Sequence, residues 1–197
     1  DVWFYTMEYC AGGSLEDLLK REGGKIPCIT ACGLAMQVLD GLEYAHNAEI
    51  PNVKMSDGTW NKGTGLVHRD IKPENILLSK GGSGKGDMVA KIADFGLAKT
   101  YRSAGQSGRT QTGSFGGSLS FICRQQLLNY KYSKPEVDVW SAAAVLYYLI
   151  AGKPPRKLEG EKNHLNSVLK NNPLPIRSIE PSVPEKLASV IDRSLDD

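Results

Sequence analysis

The residues best suited to chemistry stand in two short strings. His68-Arg69-Asp70-Ile71-Lys72-Pro73-Glu74-Asn75 brings a carboxylate, an ammonium and an amide close together in the chain, and Asp94-Phe95-Gly96 begins nineteen positions after Asn75. A carboxylate can take a proton from an attacking hydroxyl. Carboxylate and amide oxygens are also the hard donors that suit Mg²⁺. Either string alone is weak, because Asp-Phe-Gly can equally be an ordinary turn. Their order, and what lies between and after them, carries the signal.

The elements that must position these residues can be read from pattern. Residues 2–9 are aromatic and β-branched and predict a strand. Gly12-Gly13 breaks it, and Ser14 with Leu15, Leu18 and Leu19 predicts a short capped helix ending at Gly23-Gly24. Ala31, Leu34, Ala35, Val38, Leu42 and Ala45 recur at helical steps, which predicts an amphipathic helix from Thr30 to His46. Residues 47–65 are polar and read as an irregular loop. Ile76-Leu77-Leu78 and Met88 to Ile92, separated by a Gly-rich run, predict a hairpin. Residues 99–118 carry almost nothing apolar and read as a mobile segment. Val137 to Ala151 predicts a helix buried on all sides, stopped by Gly152 and Pro154-Pro155. Two further helices are expected around Asn163–Lys170 and Pro184–Leu195.

Composition bounds the rest. At 197 residues the chain makes about one domain or a little more. Hydrophobic residues at 41% and charged residues at 23% exclude wholesale disorder. A net charge of +2 supplies no strong field for nucleic acid or an anionic membrane, so no nucleic-acid partner is expected. The longest apolar run, Ala142 to Ala151, is about half the length of a membrane-spanning helix. Cys28 and Cys32 lack the second pair or the histidines of a zinc site, so the four cysteines read as free thiols in a reducing compartment. The chain opens on Asp1 with no secretory signature, and a piece of something longer is expected.

Taken together, the two strings resemble the catalytic and metal-binding loops of the protein kinases. The resemblance implies an α+β, mainly helical, protein-kinase-like fold: a C-terminal lobe with its hinge strand, the N-terminal lobe absent, residues 1–197 forming a partial kinase domain. It implies a protein serine/threonine kinase that uses ATP and Mg²⁺ on protein substrates. Asp70 would be the base, Lys72 would set an ammonium on the transferring phosphate, and Asn75 and Asp94 would hold the metal. Phosphoryl transfer asks mainly for such positioning and neutralisation. Met7-Glu8-Tyr9-Cys10 resembles the hinge, with Met7 as gatekeeper and the backbones of Glu8 and Cys10 bonding adenine; Leu77 would lie under the ring. The plainer alternative for Met7 is a core residue. Asp138, in Asp138-Val139-Trp140-Ser141, resembles the aspartate that holds the catalytic loop through backbone N–H groups, a structural support. Arg69 would pair with a phosphate on Thr110, Thr112 or Ser114. The Lys-Pro-Glu-Asn string favours Ser/Thr over Tyr specificity.

Three departures accompany the resemblance. Cys123-Arg124-Gln125 occupies the family's Ala-Pro-Glu position, while Ser118 keeps the hydroxyl that usually links base and lysine. The string from Phe121 to Leu127, with Lys134-Pro135-Glu136-Val137-Asp138-Val139-Trp140, is similar to a bacterial subgroup. Residues 47–65 include an insertion, and the Gly-rich phosphate loop, the strand lysine and its partner glutamate helix do not occur in the sequence. Gly81-Gly82-Ser83-Gly84-Lys85-Gly86 is no Walker loop, since Gly86 stands where Ser or Thr is needed. The isolated chain is therefore expected to bind nucleotide weakly and turn over little, with residues 2–9 as an unpaired edge. A pseudokinase or scaffold is the competing class, and a small-molecule phosphotransferase a third. A cytoplasmic catalytic domain is expected, with any membrane anchor outside these residues.

Overall fold

The computed structural model describes residues 4, 6–54, 58–80, 88–95, 119–129, 133–158 and 164–197. Helix α1 spans Leu15–Arg21 and α2 spans Cys28–Asn47. A ribbon follows, β1 Glu49–Lys54 and β2 Trp60–Thr64, then a second, β3 Ile76–Lys80 and β4 Met88–Ile92. Helices α3 Arg124–Leu128, α4 Glu136–Ala151, α5 His164–Lys170 and α6 Glu185–Ser194 complete the described elements. Single 3₁₀ turns occur at Pro73–Asn75, Leu119–Phe121 and Ile176–Ser178.

The core is built on α4. Most side chains of this helix are buried, in keeping with a sequence that is apolar from Val137 apart from Asp138 and Ser141, although Glu136 and Val139 are exposed; α2 packs against it and buries Ala31, Leu34, Val38, Leu42 and Ala45. Gly152 ends α4 in the left-handed region at φ 69°, and a Cβ there would meet the Gly24 carbonyl oxygen at 2.6 Å. At α1, the Ser14 hydroxyl accepts from the Asp17 N–H while the Asp17 carboxylate accepts from the Ser14 N–H, a reciprocal cap. The Ser14 N–H, and the Ser14 hydroxyl donating to the same oxygen, hold the Asp17 carboxyl below the usual carboxylate range.

Strands β3 and β4 pair antiparallel from Ile76↔Ile92 to Lys80↔Met88, as the hairpin reading expects. Two expectations are corrected. Residues 47–65 are not an irregular loop, because β1 and β2 form an antiparallel ribbon. Its side chains are mostly exposed, so the backbone ladder forms without the apolar alternation that marks a half-buried strand. The register shifts between Ile50 and Val53, where Pro51 has no N–H to give the ladder. The strand expected at residues 2–9 is not formed by the described residues of that stretch: Phe4 and residues 6–9 belong to no strand, and Phe4 and Tyr9 are exposed. Among the described residues no strand lies alongside to complete a ladder there.

Candidate active site

The site forms where the stretch between β2 and β3 crosses the N-terminus of α4. Asp138 lies in the first turn of that helix, where the helix dipole favours a carboxylate, and it is fully buried. Oδ2 accepts from the His68 N–H at 2.8 Å and Oδ1 accepts from the Arg69 N–H at 2.7 Å. His46, near the end of α2, adds its Nε2 at 2.8 Å to Oδ2. A buried carboxylate is costly unless its lone pairs are met, and here three donors from two segments meet them. Asp138 thereby fixes the backbone that leads into Asp70.

His68 is the pivot of the next step. Its ring is buried, its Nδ1 accepts from the Asp70 N–H at 3.2 Å, and its Nε2 donates to the Ala93 carbonyl at 2.9 Å. These partners fix the Nε2–H tautomer. The ring also meets Phe95 edge-on, with centroids 4.7 Å apart. Ala93 in turn donates its N–H to the Asn75 carbonyl at 2.8 Å, so Asp94 follows directly on a residue tied to both His68 and Asn75. Arg69 and Asp94 both have left-handed backbone, φ 67° and 65°. Non-glycine residues there cost of order 1–3 kcal/mol and persist only where neighbours hold them.

Asp70, Lys72 and Asn75 converge. Asp70 Oδ2 lies 3.1 Å from Asn75 Nδ2 and 3.2 Å from Lys72 Nζ. Asn75 Nδ2 donates a second bond to the Asp70 carbonyl at 2.8 Å, which fixes the amide within the turn Pro73–Asn75. The Asp70 and Lys72 side chains are each about a quarter exposed, 27% and 22%, so the pair faces solvent and is reachable. Asp94 is exposed. The arrangement offers a carboxylate oxygen beside an ammonium and an amide.

Leu77 is partly buried on β3, and its neighbour Leu78 exchanges backbone bonds with Gly12 and Gly13, both 2.8 Å. A Cβ at Gly12 would meet the Leu78 carbonyl oxygen at 2.6 Å, so only glycine permits this approach. The pairing draws the chain after Cys10 against β3. Cys10 is partly buried, Met7 is exposed and outside the core, and exposed Glu8 pairs with Lys91 of β4. Gly96, Thr110, Thr112, Ser114 and Ser118 lie outside the described residues.

The sequence matches the protein kinase domain family over residues 1–196. The chain belongs to the protein kinase family. Its curated relatives include the 3-phosphoinositide-dependent protein kinase B of Dictyostelium discoideum, 34% identical over 78% of this chain and 14% of that protein. The CBL-interacting serine/threonine-protein kinase 21 of Arabidopsis thaliana is 34% identical over 76% of this chain and 29% of its own length. A probable serine/threonine-protein kinase of Clostridium perfringens is 28% identical over 100% of this chain and 25% of its own length. The chain thus spans under a third of each of these relatives, and most of the relatives are eukaryotic.

Protein kinases generally use ATP and Mg²⁺, and the donor set can be tested against them. Among the described residues no group of three or more His, Cys, Asp or Glu side chains could hold a metal alone. Mg²⁺ needs no such cage, because one or two carboxylates with phosphate oxygens suffice. Asn75 spends its N–H₂ end on Asp70, which leaves the amide oxygen as its free ligand atom. The residues fit the group. No described helix is long and apolar enough to cross a membrane.

Sequence reading missed Gln126. Gln125, at the family's Glu position, is exposed, whereas Gln126 is 1% exposed and donates to the Arg69 carbonyl at 2.6 Å. Adjacent identical side chains give no signal for which one points inward; the turn of α3 decides. Arg156 was missed as well. It is buried over the Trp140 ring at 4.4 Å, donates to the Ile122 carbonyl at 2.8 Å and pairs with Asp197. Burial pulls its pKa down and the Asp197 carboxylate pulls it back up.

Proposed function

We propose that the protein is a serine/threonine kinase that moves the γ-phosphoryl group of ATP to Ser and Thr hydroxyls of protein substrates. Asp70 accepts or orients the proton of the attacking hydroxyl. Lys72 sets its ammonium against the transferring phosphate, and Asn75 and Asp94 supply the oxygen ligands for Mg²⁺. Bound Mg²⁺ and ATP contribute the phosphoryl group and the counter-charge for its transfer. The backbones of Glu8 and Cys10 bond adenine, Met7 is the gatekeeper, and Leu77 lies under the ring. The observation that carries this reading is the single Asp70 oxygen shared by Lys72 Nζ and Asn75 Nδ2. The names of the relatives support the Ser/Thr class.

Finer assignments belong to the same proposal. The helical described elements are the large lobe of the kinase domain, with residues 7–10 as its hinge. The match to the Clostridium relative across the whole chain supports a bacterial subgroup. Arg69 receives a phosphate on Thr110, Thr112 or Ser114, and the Ser118 hydroxyl links base and lysine. Four free thiols support a cytoplasmic setting.

The test is phosphotransfer from labelled ATP to a protein substrate by the protein that carries this chain, with phosphoamino-acid analysis. Label on Ser and Thr that requires Mg²⁺, and that Asp94→Asn lowers by at least the ~10²-fold typical of a lost catalytic group, is expected. Label on Tyr, or Asp94→Asn activity equal to the parent, would contradict the proposal.

A further inference from the structure

We infer that Gln126 is a positioning residue for Asp70: its side-chain amide holds the carbonyl of the Arg69–Asp70 peptide and so aims the Asp70 carboxylate. This rests on the reading of Asp70 as the base. The peptide between Arg69 and Asp70 is held at both its polar groups. Its N–H donates to His68 Nδ1 at 3.2 Å, and its carbonyl accepts from Gln126 Nε2 at 2.6 Å. A carbonyl can only accept, so the end of the amide that meets it is the N–H₂ end.

The cost of the arrangement argues for its purpose. Gln126 is 1% exposed, and its Oε1 is buried with no hydrogen-bond partner among the described residues. Burying half an amide unsatisfied is unfavourable, and a side chain kept only for packing would be better apolar. What the glutamine supplies that an apolar chain cannot is the donor. Arg69 has left-handed backbone whose N–H is held by Asp138, and the Gln126 donor holds its carbonyl on the downstream side.

The element that carries Gln126 is itself anchored. Ser141 of α4 donates to the Phe121 carbonyl at 2.6 Å, Arg156 donates to the Ile122 carbonyl at 2.8 Å, and Cys123 Sγ caps α3 by accepting from the Gln126 N–H at 3.4 Å. The donor therefore comes from a braced turn. The peptide that leads into Asp70 is thus held from two segments, by His68 of its own loop and by Gln126 of the segment that enters α3, while Asn75 and Lys72 meet the carboxylate itself.

The test uses Gln126→Met, which keeps the volume and removes the donor, and Gln126→Asn, which draws the amide back, as the variant to use should the methionine prevent folding. Asp70→Asn is assayed in parallel in the protein that carries this chain. Loss of the donor should lower kcat by about ten- to a hundredfold while the KM for ATP stays unchanged. By NMR hydrogen exchange, the Asp70 amide should lose protection while the His68 and Arg69 amides, held by Asp138, keep theirs. A folded variant with parental kcat and unchanged Asp70 exchange, beside an inactive Asp70→Asn, would overturn the role of Gln126 and leave the base assignment standing. An active Asp70→Asn would overturn the base assignment and the positioning role with it.

Discussion

Asp70 is a weak base whose usefulness comes from what surrounds it. Lys72 and Asn75 share one of its oxygens, and that shared contact fixes how the carboxylate is turned. Residue-scale reasoning also reaches groups away from the site. Tyr147 is buried in α4, its hydroxyl has no hydrogen-bond partner among the described residues, and burial with nearby Asp192 pushes its pKa up from 10.0 to about 12. The folded state favours the phenol over the phenolate. That preference is fully present below the unfolded pKa of about 10 and is lost as pH rises toward 12. Tyr147→Phe should therefore melt at the same temperature as the parent or slightly higher at neutral pH, and should lose less stability between pH 10 and 12. Thermal melts at both ends of that range check it; a clear drop at neutral pH would show that the hydroxyl does have a partner.

At the scale of elements, α4 is both the core and the bracket for the loop that bears Asp70. Asp138→Ala would leave the His68 and Arg69 N–H groups and the His46 ring without their acceptor in a buried place. At about 1–3 kcal/mol for each unsatisfied buried group, the variant should lose roughly 3 kcal/mol or more of stability in chemical unfolding, and a loss below about 1 kcal/mol would contradict the bracket. Much of this was legible in the sequence. The apolar run of α4, interrupted from Val137 onward only by Asp138 and Ser141, announces a buried helix with a paired carboxylate, and the steps of three and four in α2 announce its packed face. The β1–β2 ribbon was not legible, because a ladder of backbone bonds between exposed side chains leaves no alternation to read. Nor was the inward turn of Gln126 beside the outward Gln125, which depends on the phase of a helix only five residues long.

Over the whole molecule, distant stretches are tied to one site. Arg156 joins the Ile122 carbonyl to Asp197, and Arg124 donates its N–H to the same Asp197 carboxylate at 3.0 Å, so the end of the described chain braces the segment that carries Gln126. Lys25 pairs with Glu180 at 2.6 Å across the other side, and Lys25 together with Ser182 holds the Glu180 carboxyl below its ordinary range. That exposed pair is worth little by itself. The bracing matters because phosphoryl transfer depends on placement more than on reactive groups. The most direct measurement is the turnover of Asp70→Asn beside its parent, in the protein that carries this chain, with nucleotide affinity and melting temperature recorded for both. The expected result is a fall in kcat of ~10²–10⁴ with ATP affinity and melting temperature kept. Turnover within a few-fold of the parent would mean that the carboxylate shared by Lys72 and Asn75 is not where the proton goes.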